Sequence, residues 1–308
     1  MDWSHEQLGD MSDKVVVVTG GNSGLGLECV KVLSAHGAQV VMASRNAGKA
    51  DAAIEEISAI QPDARITHML LDLADLGVVR EFCDEFVNRF EKLDVLMNNA
   101  GVMAIPRSQT ADGFEQQFGS NHLGHFALTG RLLPMLLATP RSRVVSVTSM
   151  AANGGKIRFD DLMGTRRYRR WTAYGQSKLA NMLFGRELQR RLAESGSHTI
   201  SVLAHPGFST TNLSKGPLQG ASPVMALVEK TVQLICQPPA DGALPQLYAA
   251  TEAGVRGDDY FGPSGIAQIQ GTPRRVSYPK SGRDLEAAER LWNTSAELTG
   301  VDFASLCC

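Results

Sequence analysis

The sequence predicts an α/β fold, a single domain built on one doubly wound parallel sheet. Three observations carry this. Short β-branched runs alternate with longer amphipathic stretches, the rhythm of βα units feeding a parallel sheet. The short runs are nearly continuous in apolar residues, as strands covered on both faces must be. The first run passes straight into a glycine-rich turn, residues 19–26 (TGGNSGLG), with a helical pattern opening behind it.

The first strand is expected at 14–19, where four consecutive valines favour extended backbone, and the glycines after it open a helix at 24–36. A second strand at 39–43 (QVVMA) leads to a helix at 47–60, and a third at 65–70 (RITHML) to a helix at 75–91. A fourth at 93–97 (LDVLM) precedes a long helix at 112–138, a fifth at 143–148 (RVVSVT) a helix at 173–194, and a sixth lies at 199–204 (TISVLA). Beyond Pro206 the rhythm loosens. Residues 212–238 read as a substrate loop or lid with a helix at 225–236, and a further helix is expected at 241–253. Residues 258–308 form a C-terminal extension, turn-rich around Tyr260-Phe261-Gly262 and ending in an amphipathic helix at 283–298. Residues 1–12 are a polar tail. No repeat or low-complexity linker divides the chain, so 1–308 is read as one domain although length alone would allow two.

The 308 residues are 43% hydrophobic and 20% charged, ample apolar material for a core. A net charge of −2 gives no push toward nucleic acid, so a small-molecule partner is expected. The cysteines (Cys29, Cys83, Cys236, Cys307, Cys308) show neither metal-ligand spacing nor an even disulfide framework, which suits a cytoplasmic protein without a metal. Neither a signal peptide nor a run of about 18 apolar residues is present, so no transmembrane segment is expected.

In the turn after the first strand, Gly20, Asn22, Ser23, Gly24, Leu25 and Gly26 let the backbone bend sharply and let a pyrophosphate reach the amides of a helix N-terminus. The second strand ends in Ser44-Arg45, with no carboxylate to bind a ribose 2′-hydroxyl. Arg45 is placed instead for charge-assisted bonds to a 2′-phosphate, which predicts NADP(H) over NAD(H).

Taken together, the Thr-Gly-x-x-x-Gly-x-Gly turn, Asn98-Asn99-Ala100-Gly101 after the fourth strand, Ser149 after the fifth and Tyr174-x-x-x-Lys178 resemble the short-chain dehydrogenase/reductase superfamily. The wording around them, including Trp171 to Lys178 and His205-Pro206-Gly207, resembles the retinol-dehydrogenase-like branch and its bacterial relatives. The resemblance implies a Rossmann-like fold and hydride transfer between NADP(H) and a carbonyl or alcohol. It implies catalytic roles for Asn121, Ser149, Tyr174 and Lys178. It also implies cofactor contacts from Asp72 and Leu73, from Asn99, Ala100 and Gly101, from Tyr174 and Lys178, and from Pro206, Gly207 and Thr211. Independently, a tyrosine with a pKa near 10 is a poor base at neutral pH. An ammonium four residues away on the same helix face would stabilise its phenolate. Ser146 lies near the same sheet edge as Ser149, and the resemblance selects Ser149. Asp72 would serve equally as a helix N-cap. His205 is read as structural, because no carboxylate or nucleophile is placed to work with it.

Between Ser149 and Tyr174 lie 24 residues, about twice the number expected in compact proteins of the family, including the basic run Arg166-Arg167-Tyr168-Arg169-Arg170. Such a run reads first as a solvated loop, with a substrate lid or a peripheral membrane contact as alternatives. Members of that branch commonly carry an N-terminal membrane segment, and residues 1–14 here are polar. The loop after Asn212, with Leu213, Leu218, Pro223, Val224 and Met225, points to a lipophilic aldehyde or ketone. The competing function is an NADP-binding regulatory protein with a vestigial site; a sugar-nucleotide epimerase shares the Tyr/Lys pair, but its glycine turn is spaced differently. A homodimer or homotetramer is expected through the long helices that hold Asn121 and Tyr174.

Overall fold

A computed structural model describes residues 3–208 and 237–306. The expected lid at 212–238, its helix at 225–236, Thr211 and the pair Cys307-Cys308 lie wholly or mainly outside the described residues. The strands are β1 (Val15–Thr19), β2 (Gln39–Ser44), β3 (Arg65–Leu70), β4 (Val95–Asn98), β5 (Arg143–Val147), β6 (Ile200–Ala204), β7 (Tyr260–Pro263) and β8 (Pro273–Arg275). They form one sheet in the order β3-β2-β1-β4-β5-β6-β7-β8. All pairs are parallel except β7 with β8. The chain winds outward from β1 to β3, then returns to place β4 on the other side of β1. That reversal opens a crevice at the C-terminal edge of the sheet, between β1 and β4.

The helices are α1 (Gly24–Ala35), α2 (Ala47–Ile60), α3 (Leu76–Arg89), the short α4 (Gln116–Phe118), α5 (Gly124–Ala138), α6 (Arg170–Glu194), α7 (Pro239–Thr251) and α8 (Leu285–Thr299). Alternate strand residues feed two cores. Val16, Val18, Val40 and Met42 join Cys29, Val30 and Leu33 of α1 and Leu247 of α7 on one face. Val15, Val17, Val41 and Leu96 join Phe82 and Phe86 of α3, Phe126 of α5 and Phe184 of α6 on the other. At about 1.5–3 kcal/mol for each buried large side chain, these two layers dominate the fold's stability.

Two strands were not expected. β7 and β8 extend the sheet past β6, and both are short and carry proline, so their sequence reads as turn. The long helix expected at 112–138 is broken. Residues 111–115 turn back, Glu115 caps α4 by accepting from the amides of Gln117 and Phe118, and Gly119–Leu123 forms a π-helical turn before α5. In that turn the Gly124 amide bonds the Gly119 carbonyl, five residues back. Asp75, rather than Asp72, caps α3, accepting from Gly77 and Val78; Asp72 makes a turn by accepting from the Ala74 amide.

The C-terminal extension packs onto α5 and α6. Trp292 of α8 lies 5.2 Å from Phe126 and 5.7 Å from Phe184, and Phe303 lies 4.3 Å from Trp292, ring centre to ring centre. A methyl on Gly130 of α5 would collide with Val301 and Phe303. The chain's own C-terminal segment thus covers part of the long helices α5 and α6. Among the described residues no helix is long and apolar enough to cross a membrane.

Candidate active site

The crevice between β1 and β4 is a cleft of about 410 Å³. From the glycine turn it is lined by Gly20, Asn22, Ser23, Gly24, Leu25 and Gly26; from the end of β2 by Ser44 and Arg45; from the end of β3 by Asp72 and Leu73; and from the end of β4 by Asn99, Ala100 and Gly101. These are sequence-expected residues brought to one place. Gly20 and Gly24 have φ of +67° and +56°, which only glycine adopts freely. A methyl on Gly26 would lie 2.4 Å from the Gly20 carbonyl and 2.6 Å from the Asn99 side chain, so the turn closes only without one. Ser23 starts α1 but makes no side-chain cap bond, leaving the helix's first amides for an anion.

Lys49, in the first turn of α2, also lines the cleft, together with Val102 and Ser120. None of the three was picked out in the sequence. For Lys49 a signal existed: it follows Arg45 by four residues beside a strand end that lacks a carboxylate.

The four expected catalytic residues lie where β4, β5, the π turn and α6 meet. Ser149 follows β5 and accepts from the Ala151 amide, and its hydroxyl acts on the Tyr174 phenol, lowering its pKa. Ser146 is buried, and its hydroxyl has no hydrogen-bond partner among the described residues. Lys178 is buried on α6 and donates to the Val147 carbonyl at 3.1 Å. Asn121, in the π turn, accepts from the Val102 amide at 2.8 Å and donates to the Val102 carbonyl and the Ser177 hydroxyl, each at 2.9 Å. Two of these residues meet the cleft at Gly101, where a methyl would lie 3.1 Å from Asn121 Oδ1 and 3.3 Å from Lys178 Nζ.

The electrostatics differ from the sequence expectation. Burial pushes the Tyr174 phenol above its ordinary value, and the bond from Ser149 only partly opposes it. Burial also pushes Lys178 down to about 8. At neutral pH the tyrosine therefore keeps its proton beside a lysine that is still mostly cationic.

Pro206 and Gly207 follow β6 as a turn that does not line the cleft. Gly207 has a φ of +65°, and a methyl on it would meet the Ile269 carbonyl at 2.2 Å. His205 bonds Gln268 through Nε2 and accepts from the Gly207 amide at Nδ1, and burial lowers its pKa to about 4, as a structural histidine requires.

In the insertion before Tyr174 the four arginines of the basic run are exposed, as a solvated loop requires, while Asp161 and Tyr168 tie it down as a strap. Asp161 accepts from the amides of Thr165, Arg166 and Arg167 and from the Thr165 hydroxyl. The Tyr168 hydroxyl lies 3.0 Å from the Ile105 carbonyl and 3.1 Å from buried Glu115, and receives a bond from Gln117. The strap ends at Trp171, 58% exposed, whose ring stands edge-on to Tyr174 at 6.2 Å.

Glycine cradle, Ser-Tyr-Lys cluster and doubly wound sheet together define a nucleotide-dependent oxidoreductase of one family. The family model described as short chain dehydrogenase matches residues 14–219, and the chain belongs to that family, whose members bind a nicotinamide cofactor. Within it the chain falls in the retinol-dehydrogenase-like branch. It is 38% identical to Retinol dehydrogenase 12 of Mus musculus, over 94% of this chain and 87% of that protein. It is likewise 38% identical to Retinol dehydrogenase 13 of Homo sapiens, over 95% and 86%. Among solved structures, an uncharacterized protein from Mycobacterium Paratuberculosis superposes with a TM-score of 0.81 at 40% identity, covering 98% of this chain and 99% of that one. The Pseudomonas aeruginosa RhlG/NADP active-site complex shares the fold, with a TM-score of 0.64 at 22% identity, covering 81% of this chain and 93% of that one.

Proposed function

We propose that this oxidoreductase interconverts a lipophilic aldehyde or ketone and its alcohol with NADP(H). The observation that carries the reading is buried Lys178, one turn from buried Tyr174 on α6, reaching Gly101 in the wall of a cleft that also holds Arg45 and Lys49. Ser149 holds the substrate oxygen, and Tyr174 gives its proton to that oxygen during reduction or removes it during oxidation. Lys178, fixed on the Val147 carbonyl, supplies positive charge that favours the phenolate once formed. The cofactor, when bound, supplies the hydride and, in its oxidised form, a second positive charge. Arg45 and Lys49 would hold the 2′-phosphate, and the end of β2 carries no carboxylate to oppose it. By resemblance to the family, Pro206, Gly207 and Thr211 would serve the nicotinamide side, although Pro206 and Gly207 do not line the cleft and Thr211 lies outside the described residues.

The exposed indole of Trp171 beside Tyr174 supports an apolar substrate, since a large exposed aromatic at a site's mouth is an apolar contact without a partner. A retinoid is one member of that class, as the names of the relatives suggest. A vestigial regulator is the weaker reading, because all four side chains are present and Asn121 and Lys178 meet at Gly101 of the cleft wall. The test is oxidation of NADPH and of NADH against short and long aldehydes, ketones and quinones. NADPH-driven reduction of long apolar carbonyls is expected, and Tyr174→Phe should abolish it while NADPH binding persists. A preference for NADH, or unchanged turnover in Tyr174→Phe, would refute the proposal.

A further inference from the structure

We infer that His125 is a positioning residue for this site: its ring, as the Nδ1–H tautomer, closes a hydrogen-bonded circuit that clamps the cofactor-lining segment 99–102 at both ends. The link to turnover rests on the function proposed above; the circuit itself does not.

His125 lies on α5, 1% exposed. Its Nδ1 is 2.9 Å from the Asn121 main-chain carbonyl and its Nε2 is 2.9 Å from the Thr19 hydroxyl at the end of β1. A carbonyl oxygen only accepts, so Nδ1 must carry the hydrogen and Nε2 must be the bare acceptor. The Thr19 hydroxyl therefore donates to the ring, its other acceptor, the Met97 carbonyl, being farther away at 3.2 Å. With its proton committed, Thr19 Oγ1 offers its lone pairs to the amides of Asn99 and Ala100, both at 2.9 Å. At the far end of the segment, the Asn121 side chain grips Val102 through both its amide and its carbonyl. Thr19 thus holds residues 99 and 100, Asn121 holds 102, and His125 joins the two holders across 106 positions of chain.

The middle of the clamped segment is Gly101, whose missing side chain leaves just enough room for Asn121 Oδ1 and Lys178 Nζ. A slip of the segment would alter both the cleft wall and the surroundings of the lysine. The circuit needs an uncharged ring. Burial lowers His125 to about 4; the bond to Asn121 opposes this, and the charge of Lys178 adds to it. The titratable groups facing His125 are Lys178 from α6 and His122 in the π turn, the latter also held neutral by burial. A protonated ring would donate at both nitrogens, forcing the Thr19 hydroxyl to turn and give up an amide, and would repel the Lys178 ammonium.

The experiment uses the full chain labelled with ¹⁵N-histidine. Long-range ¹H–¹⁵N spectra from about pH 5 to 8 assign His125 by the signal lost in His125→Gln. A pyrrole-type Nδ1 and a pyridine-type Nε2 are expected throughout. In parallel, His125→Leu, which removes donor and acceptor, should weaken NADPH binding and lower kcat by about 10- to 100-fold each. His125→Gln, which keeps one donor and one acceptor across a single carbon, should recover most of both. A ring protonated at Nε2, a cationic ring at neutral pH, or a folded His125→Leu with both parameters within about twofold of the parent would overturn the inference. If His125→Leu does not fold, the spectrum and His125→Gln decide. If the parent protein reduces no carbonyl at all, the proposed function fails while the tautomer and NADPH-binding measurements still judge the circuit.

Discussion

Replacing Lys178 by methionine should stabilise the cofactor-free protein at neutral pH while removing its activity. Lys178 is buried, and its folded pKa of about 8 lies below the 10.5 of a free lysine. At about 1.4 kcal/mol per unit, holding the ammonium inside the fold costs about 3 kcal/mol at pH 7. Methionine gives up the bond to the Val147 carbonyl, about 1 kcal/mol, so the variant should gain about 2 kcal/mol. Between pH 8 and 10.5 the unfolded chain holds the lysine proton and the folded chain does not, so the parent gains stability as pH rises through that window. The penalty should fall to about 1 kcal/mol or less near pH 10, and the two proteins should converge. Burial also pushes the thiols of Cys29 and Cys83 up to about 12, but they titrate alike in both proteins and cancel in the difference. Denaturant midpoints at about pH 7 and pH 10 measure the gap. A methionine variant less stable than the parent at pH 7, or a gap that ignores pH, would show that burial of the ammonium is not what moves the lysine.

Removing both Arg45 and Lys49 side chains to alanine should raise the KM for NADPH about 10- to 100-fold and leave that for NADH nearly unchanged, with the effect shrinking as salt is added; equal losses for both cofactors would detach these residues from the 2′-phosphate. Gly26→Ala places a methyl 2.4 Å from a backbone oxygen and should cost about 1–3 kcal/mol and abolish NADPH binding. Gly48→Ala, in α2 with its nearest neighbour at 3.8 Å, should instead raise the melting temperature slightly. Tyr168→Phe unties the strap from Glu115 and should cost about 1 kcal/mol and speed protease cleavage near Thr165; an unchanged cleavage rate would mean that Asp161 alone holds the strap.

The parts of this molecule that were legible in the sequence are those where one residue type alone meets a backbone demand. Gly20, Gly24 and Gly26 announce a turn because no side chain fits, and four valines in a row announce a strand between two layers. The parts that were hidden depend on partners far along the chain. His125 looks like an ordinary core residue until Thr19 and Asn121 stand on either side of it. Lys49 resembles any solvated helix charge until Arg45 is seen to share its cleft wall. The π turn keeps a helical hydrophobic period, so nothing in the spacing of residues 112–138 betrays that one hydrogen bond has slipped by a residue. The strap reads as a charged loop because Asp161 anchors it through main-chain amides, to which a sequence pattern is blind.

The pH dependence of the two directions follows from the burial of Tyr174 and Lys178. Tyr174 and Lys178 sit one turn apart on α6, which suggests an ammonium pulling the phenol down, yet burial dominates and moves each toward its neutral form. A buried, protonated phenol is an acid, ready to protonate a carbonyl oxygen. As a base it must first lose a proton that its surroundings retain. The two directions should therefore depend on pH with opposite sign. Reduction should be flat below about pH 8 and decline above it, as Lys178 loses its charge. Oxidation should rise with pH across the same range, because each unit increases the fraction of phenolate. Initial rates in both directions on one enzyme preparation, with saturating cofactor, would separate the limbs. Should oxidation instead peak near neutrality and fall with reduction, the phenol would already be ionised in the working complex, and the positive charges around it would outweigh the burial that governs the free protein.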